Sequence, residues 1–287
     1  MSSIVIFSAI TLIIIGVVAA VMLYYAAQKF KVYEDPRIDQ VEALLPQANC
    51  GGCGYPGCRG FAEALVKADD ISNMLCPPGG SDVMKAIAEI LGQSVTQTAP
   101  MIAVVRCNGT PENRPTTSIY QGASNCTIAH SLYKGESDCA YGCLGLGDCI
   151  AACKFDAIFI DQATKLPLVI EDKCVACGAC VKACPRGIIE MRKKGPKNRR
   201  IYISCVNCDK GAIAKKACNV ACIACVKCAK VCPHEAITIQ NNLAYIDDNK
   251  CKLCRKCVEE CPTLAIVELN FPPRKKTPES ETTLSEN

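Results

Sequence analysis

A chain of 287 residues, half of them hydrophobic, carries 25 cysteines, two histidines and a formal net charge of +4. So many cysteines, odd in number and often two residues apart, argue against a disulfide scaffold, which is characteristically small and secreted. Two histidines exclude histidine-rich metal sites, and the positive sum is no nucleic-acid signal, because it counts as neutral the thiols that metal would turn into thiolates.

From Ile4 to Ala27 there is no charged residue. At about 1.5 Å per residue this stretch reaches roughly 36 Å, enough for a hydrocarbon core of about 30 Å. No basic n-region precedes it, so it reads as a membrane anchor rather than a cleaved signal. Lys29, Lys31 and Arg37 follow the span, which by the positive-inside rule places everything after it in the cytoplasm, on the inner membrane. One span without an internal charge is not an ion channel by itself.

Beyond the anchor (1–28), apolar positions Ile38, Val41, Leu44 and Leu45 predict a short helix that Pro46 stops. A glycine-rich cysteine loop, "NCGGCGYPGC", then runs into a second helix, and 81–92 predicts a third, closing a small domain over 29–92. Residues 93–137 read as linker and loop, apart from a β-branched run at Met101–Val105. The tail, 271–287, is polar and proline-bearing, and is expected to be disordered.

Between Cys139 and Leu269 the chain repeats itself. Cysteine runs ending at Cys153, Cys184, Cys232 and Cys261 each lead into an Ile-rich strand, "DAIFI", "GIIEM", "EAITI" and "LAIVEL". After the first and third runs a second strand follows, and Asn241-Asn242 is a two-residue turn signal. The halves are 138–204 and 205–270.

The pattern C-x2-C-x2-C-x3-C-P occurs at Cys174/177/180/184, Cys222/225/228/232 and Cys251/254/257/261. Three closely spaced thiolates wrap one iron–sulfur cubane, and the fourth, ahead of proline, serves its partner. Zinc prefers two separated C-x2-C knuckles. The fold class that follows is α+β: an N-terminal transmembrane helix, a small helical iron–sulfur domain and two double-cluster modules.

These runs resemble bacterial double-cluster ferredoxins, twice over. The resemblance implies crossed sets: Cys222, Cys225, Cys228 with Cys261; Cys251, Cys254, Cys257 with Cys232; Cys174, Cys177, Cys180 with Cys153. A fourth set would be Cys139, Cys143, Cys149 with Cys184, from a run whose spacing departs from the pattern and where Lys154 replaces proline. Cys50, Cys53, Cys58 and Cys76 read as a fifth site, their glycines letting backbone approach sulfide. About five [4Fe–4S] clusters are expected. Cys107, Cys126, Cys205, Cys208 and Cys218 stay unassigned; a sixth cluster using Cys205, Cys208 and Cys218 competes with buried unliganded thiols.

The order of an anchor, "NCGGCGYPGC", "DCAYGCLGLGDC" and "CNVACIACVKCAKVCP" resembles the B subunit of the Rnf complex, in its long form with two ferredoxin-like units. That family is a membrane ferredoxin:NAD oxidoreductase that translocates sodium ions or protons. The resemblance implies an electron-transfer subunit that accepts electrons from reduced ferredoxin and relays them to other membrane subunits, without a catalytic residue of its own. The alternative is a stand-alone membrane polyferredoxin, serving another reductase or keeping a redox-sensing transcription factor reduced. The basic run "MRKKGPKNRR" (191–200) is weighed as a dock for an acidic redox partner against a solvated loop.

Overall fold

The computed structural model describes residues 2–29, 34–96, 99–132 and 135–273, so the expected tail beyond 273 lies outside the described residues. Helix α1, Ser2–Lys29, is long and apolar enough to cross a membrane. Its side chains, Phe7, Leu12 and Leu23 among them, stand exposed rather than packed.

Helices α2 (Arg37–Leu44), α3 (Cys58–Lys67) and α4 (Gly80–Leu91) form the first domain. Met84, Ile87 and Ala88 recur at helical spacing and meet Val41, Phe61, Leu65 and Ile71 in one apolar core. Gly92, at φ 67°, ends α4 in the left-handed conformation that glycine adopts without steric penalty.

Four two-stranded antiparallel sheets build the rest. In chain order the elements are β1 (Met101–Val105), α5 (Cys126–Leu132), α6 (Asp148–Ala151), β2 (Ile158–Ile160), β3 (Pro167–Val169), α7 (Ala179–Ala183) and β4 (Ile189–Lys193). Then come β5 (Arg200–Ile203), α8 (Gly211–Ala217), α9 (Lys227–Lys230), β6 (Ile237–Gln240), β7 (Leu243–Ile246), α10 (Lys256–Glu259) and β8 (Ile266–Leu269). The hairpins β2–β3 and β6–β7 follow the first and third cysteine runs, and Asn241 and Asn242 turn the second at φ 50° and 58°.

The strands after the second and fourth runs find partners outside the expected halves. β4 pairs with β1, Met101 opposite Lys193, so the stretch expected as linker supplies a strand. β8 pairs with β5, Arg200 opposite Leu269, so a strand expected at the end of the first half lies in the second. A strand without a ladder partner would leave its backbone groups unsatisfied, which is why each module recruits the segment before it.

The two modules meet where β1 and β5 pack, with Ile102, Val104 and Tyr202 buried. The basic run is part of this seam. Arg192 is 2% exposed and Arg200 4%. Arg192 donates to the Ile246 carbonyl at 2.6 Å and pairs with Glu190. Arg106 donates to the Ile203 and Cys205 carbonyls, both at 3.2 Å, and to Glu190. The guanidiniums of Arg106 and Arg192 lie 5.2 and 4.9 Å from the Tyr245 ring centroid, and Arg200 pairs with Glu171. Two of the arginines expected to greet a partner, Arg192 and Arg200, therefore clamp one module to the other.

Glu190 is the shared carboxylate of two guanidiniums with little solvent to turn to, so Glu190→Ala should destabilise the seam by about 3 kcal/mol. Exposed Lys197→Ala should change stability by less than about 0.5 kcal/mol. Denaturant midpoints followed through the visible absorbance of the clusters measure both.

Candidate metal centres

All 25 cysteines are free thiols. In the three regular runs the residues flanking the middle cysteine are left-handed: Ala176 and Gly178 (φ 59° and 74°), Ala224 and Val226 (52° and 66°), Leu253 and Arg255 (59° and 70°). Only glycine occupies this region freely, and a β-branched valine there is a true outlier. The loops turn backbone N–H groups onto sulfur: Ala179 onto Cys177, Leu253 onto Cys251. The third cysteine of each run then starts a short helix, as Cys180 in α7, Cys228 in α9 and Cys257 in α10.

Cavities form where these loops face one another. Cys222, Cys225, Cys228 and Cys261 line one of about 340 Å³; Cys232, Cys251, Cys254 and Cys257 line another of about 310 Å³. In both, the fourth cysteine comes from the partner run. Cys153 lies close to the Cys174 loop in the same manner: burial raises Cys177 and Cys180, and Cys153 adds to both rises. Equivalent amides, of Ala157 and Ala236, donate to Cys153 and Cys232, each at 3.4 Å. Cys50, Cys53, Cys58 and Cys76 line a cavity of about 310 Å³, where Asn49 Oδ1 accepts from the Cys58 amide at 2.8 Å and so starts α3.

The irregular run differs from expectation. Cys143, Cys149 and Cys184 share a cavity of about 400 Å³ with Cys126, not with Cys139. The reason lies in the loop. Gly145 and Gly147 are left-handed (φ 74° and 89°) and bracket Leu146 as Ala176 and Gly178 bracket Cys177. Cys143 and Cys149 are thus the first and third positions of an ordinary run whose middle cysteine is Leu146. Cys126 comes from α5, its amide donating to Asp148 Oδ1 at 2.8 Å, a bond that ties it to the start of α6. Cys139 lines a separate cavity of about 330 Å³ with Cys107, Cys205 and Cys218. Of the five unassigned cysteines, four therefore sit in cavities; regular αL flanks around a leucine were the missing signal.

Thiols of different runs lie close enough to influence one another. Burial raises Cys177, with Cys50 adding to the rise, and Gly52 passes so close that a Cβ there would lie 2.9 Å from the Cys177 carbonyl. Burial pushes Cys180 up to about 12, with Cys149 among its neighbours, and Cys143 up to about 12, with Cys107 adding. Burial likewise pushes Cys205 up to about 12, against the lowering by the Cys222 amide, and Cys257 up to about 12, with Cys251 and Cys228 adding. Thiols raised in this way must give up their protons to bind metal, so loading releases protons and is favoured as pH rises.

The donor sets fit an iron–sulfur cubane. Five of the sets line a largely apolar cavity with four soft thiols, and backbone amides donate to several of the sulfurs. Among the described residues no three His, Cys, Asp or Glu side chains converge as a single ion requires. The sulfurs surround a volume rather than a point.

Comparison with known proteins agrees. An Fe–S cluster family model matches residues 45–78, and 4Fe-4S dicluster domain models match 140–191 and 221–265. The chain is 44% identical over 239 residues to the B subunit of the Na(+)-translocating ferredoxin:NAD(+) oxidoreductase complex of Acetobacterium woodii, covering 83% of this chain and 70% of that one. It is 42% identical to the B subunit of the ion-translocating oxidoreductase complex of Methanosarcina acetivorans, over 88% and 93% of the two chains. With the B subunit of the proton-translocating ferredoxin:NAD(+) oxidoreductase complex of Clostridium ljungdahlii it shares 38%, over 84% of each.

Leu146 provides a test of the Cys126 assignment. Cys126→Ser should lower the iron content of the reconstituted protein by up to about four per chain. Adding Leu146→Cys should restore it, because the loop already presents that position as it presents Cys177. Iron analysis and EPR of the single and double variants decide; failure of the second change to recover iron would count against the equivalence.

Proposed function

Because this chain belongs to the family of B subunits of ion-translocating ferredoxin:NAD oxidoreductase complexes, the Rnf complexes, and is an electron-transfer subunit of that kind, we propose that its thiol sets form one path from a docking face for reduced ferredoxin to the membrane partners. The chain is membrane-associated and carries [4Fe–4S] clusters, which supply one-electron redox chemistry when bound. The sets we assign are five, with every cysteine but Cys126 inside a matched segment: Cys50/53/58/76; Cys153/174/177/180; Cys126/143/149/184; Cys222/225/228/261; and Cys232/251/254/257. Their mutual influence carries the reading: Cys50 bears on Cys177, Cys149 on Cys180 and Cys228 on Cys257, with Cys107 and Cys205 between the two groups.

The two ends differ in character. Cys225 and Cys254 are the exposed cysteines of the chain's described residues. Around them Lys227, Lys230, Lys250, Lys252 and Lys256 also stand exposed, beside Glu259 and Glu260. An acidic ferredoxin would be steered by these lysines rather than by the run at 191–200, whose arginines are largely engaged. At the other end, the Cys50 site follows α1 by a short stretch and lies nearest in sequence to the membrane, where the other subunits of the complex would receive electrons. Lys29 and Arg37 after the span, and thiols that must stay reduced until metal binds, support a cytoplasmic position for the whole cysteine-bearing part.

Reversing Lys227, Lys252 and Lys256 to Glu should slow oxidation of reduced ferredoxin at low ionic strength by about tenfold or more, with the difference fading as salt screens beyond about 8 Å. Dithionite reduction of the same variant should be unchanged. Stopped-flow traces at several salt concentrations measure this; an unaltered rate at low salt would move the docking face elsewhere.

A further inference from the structure

The cavity between the two modules lies outside every matched segment: Cys107, Cys139, Cys205 and Cys218 all fall in the gaps between 45–78, 140–191 and 221–265. Its volume of about 330 Å³ falls within the 310–400 Å³ of the four other cysteine-lined cavities. The four cysteines come in two equivalent pairs. Cys107 stands two residues beyond the end of β1, and Cys205 two beyond the end of β5. Cys139 precedes the first cysteine of its run, Cys143, by four residues, and Cys218 precedes Cys222 by four. Each module contributes one strand-end thiol and one thiol ahead of its loop, so the site is complete only when both are docked.

The surroundings are those of a bound anionic group. Asn207, 1% exposed, directs Nδ2 at Cys139 Sγ, 3.6 Å away, and its amide donates to Cys205 Sγ at 3.5 Å. Arg106 and Arg114 line the cavity. Arg114 is threaded past Gly142, where a Cβ would collide with its guanidinium, and donates to the Cys143 carbonyl at 2.8 Å. Its Nε is shielded from solvent and has no acceptor. A buried donor without an acceptor is destabilising, a cost that a sulfide or thiolate at this place would offset. Cys208, the twenty-fifth cysteine, is turned toward the Val206 carbonyl at 3.6 Å rather than into the cavity.

We propose that Cys107, Cys139, Cys205 and Cys218 hold a further [4Fe–4S] cluster at the seam, joining the sites of the first module to those of the second, with Arg114 raising its reduction potential. The proposal rests on the five-site reading above. One electron arriving from the Cys222 side reduces the seam site, and the same electron leaves toward the Cys143 side. The site returns to its oxidised form, and the electrons come from the ferredoxin that the complex oxidises. Positive charge and N–H donation to sulfur stabilise the reduced, more negative form, hence the higher potential.

The test uses the full chain in detergent, reconstituted anaerobically with iron and sulfide, with iron and zinc counted per chain. Wild type should carry about twenty-four irons, four per site. The double variant Cys107→Ser/Cys218→Ser should lose about four of these, and Cys208→Ser none. Unchanged iron in the double variant, or one zinc per wild-type chain lost with it, would overturn the seam cluster while leaving five sites intact. A wild-type count far below twenty would overturn the five-site reading itself. Arg114→Gln, which keeps all four thiols, should retain full iron and lower the midpoint of one EPR-titrated cluster only; no shift would remove Arg114 from the proposal.

Discussion

Left-handed residues on either side of the middle position of each cysteine loop are the constraint from which the rest of the structure follows. Five of the six such positions in the regular runs are not glycine: Ala176, Ala224, Val226, Leu253 and Arg255. Each carries a conformational penalty of about 1–2 kcal/mol, and the two-stranded sheets beside them are marginal on their own. Bonds from thiolate to metal are the interaction large enough to hold such loops, so folding and loading are two descriptions of one equilibrium. The same backbone explains why every run adopts one shape even where a ligand is missing. Gly145 and Gly147 keep the bracket around Leu146, and the absent thiol arrives from α5.

The arginines of the seam are the electrostatic counterpart of that arrangement. A cubane held by four thiolates carries about two negative charges, and several such centres lie within one small body. Arg106, Arg192 and Arg200 are buried along the line where the modules meet. Desolvated guanidiniums are expensive when unpaired. Here Glu190, Glu171 and the Tyr245 ring take up their charge locally, while the negative centres on both sides favour them at longer range. The formal charge of +4 in the bare sequence is thus one half of a balance whose other half arrives with the metal.

Spacing made the regular runs, the crossed fourth cysteine and the N-terminal site legible before any coordinates, because those features are local and the ligand order is dictated by the size of one small loop. The apolar span was legible for the same reason. Three things were not. Met101–Val105 and Arg200–Ile203 are short strands whose partners lie some sixty to ninety residues away, and strand pairing over that distance leaves no mark in either segment. Cys139 stands where a first ligand is expected, four residues ahead of Cys143, so spacing alone favoured it; only the φ angles around Leu146 show that the run begins one cysteine later. Arg192 and Arg200 read as surface charge because a dense basic run gives no hint of the Glu190 and Glu171 that engage it.

Crossed ligation also gives the molecule a connectivity unlike that of beads on a string. The Cys153, Cys174, Cys177 and Cys180 set lies wholly between Cys149 and Cys184 of the Cys126 set, and the Cys232, Cys251, Cys254 and Cys257 set lies wholly between Cys228 and Cys261, so in each pair one closed loop of chain is nested inside another. The Cys50 site takes its thiols from 50–76, a stretch that neither encloses another site nor lies inside one. Oxidative loss of an outer centre would therefore leave the inner loop closed, whereas loss of an inner centre would leave its stretch of chain still tied at both ends by the outer one. Resistance to unfolding here is a matter of topology and rate rather than of core size.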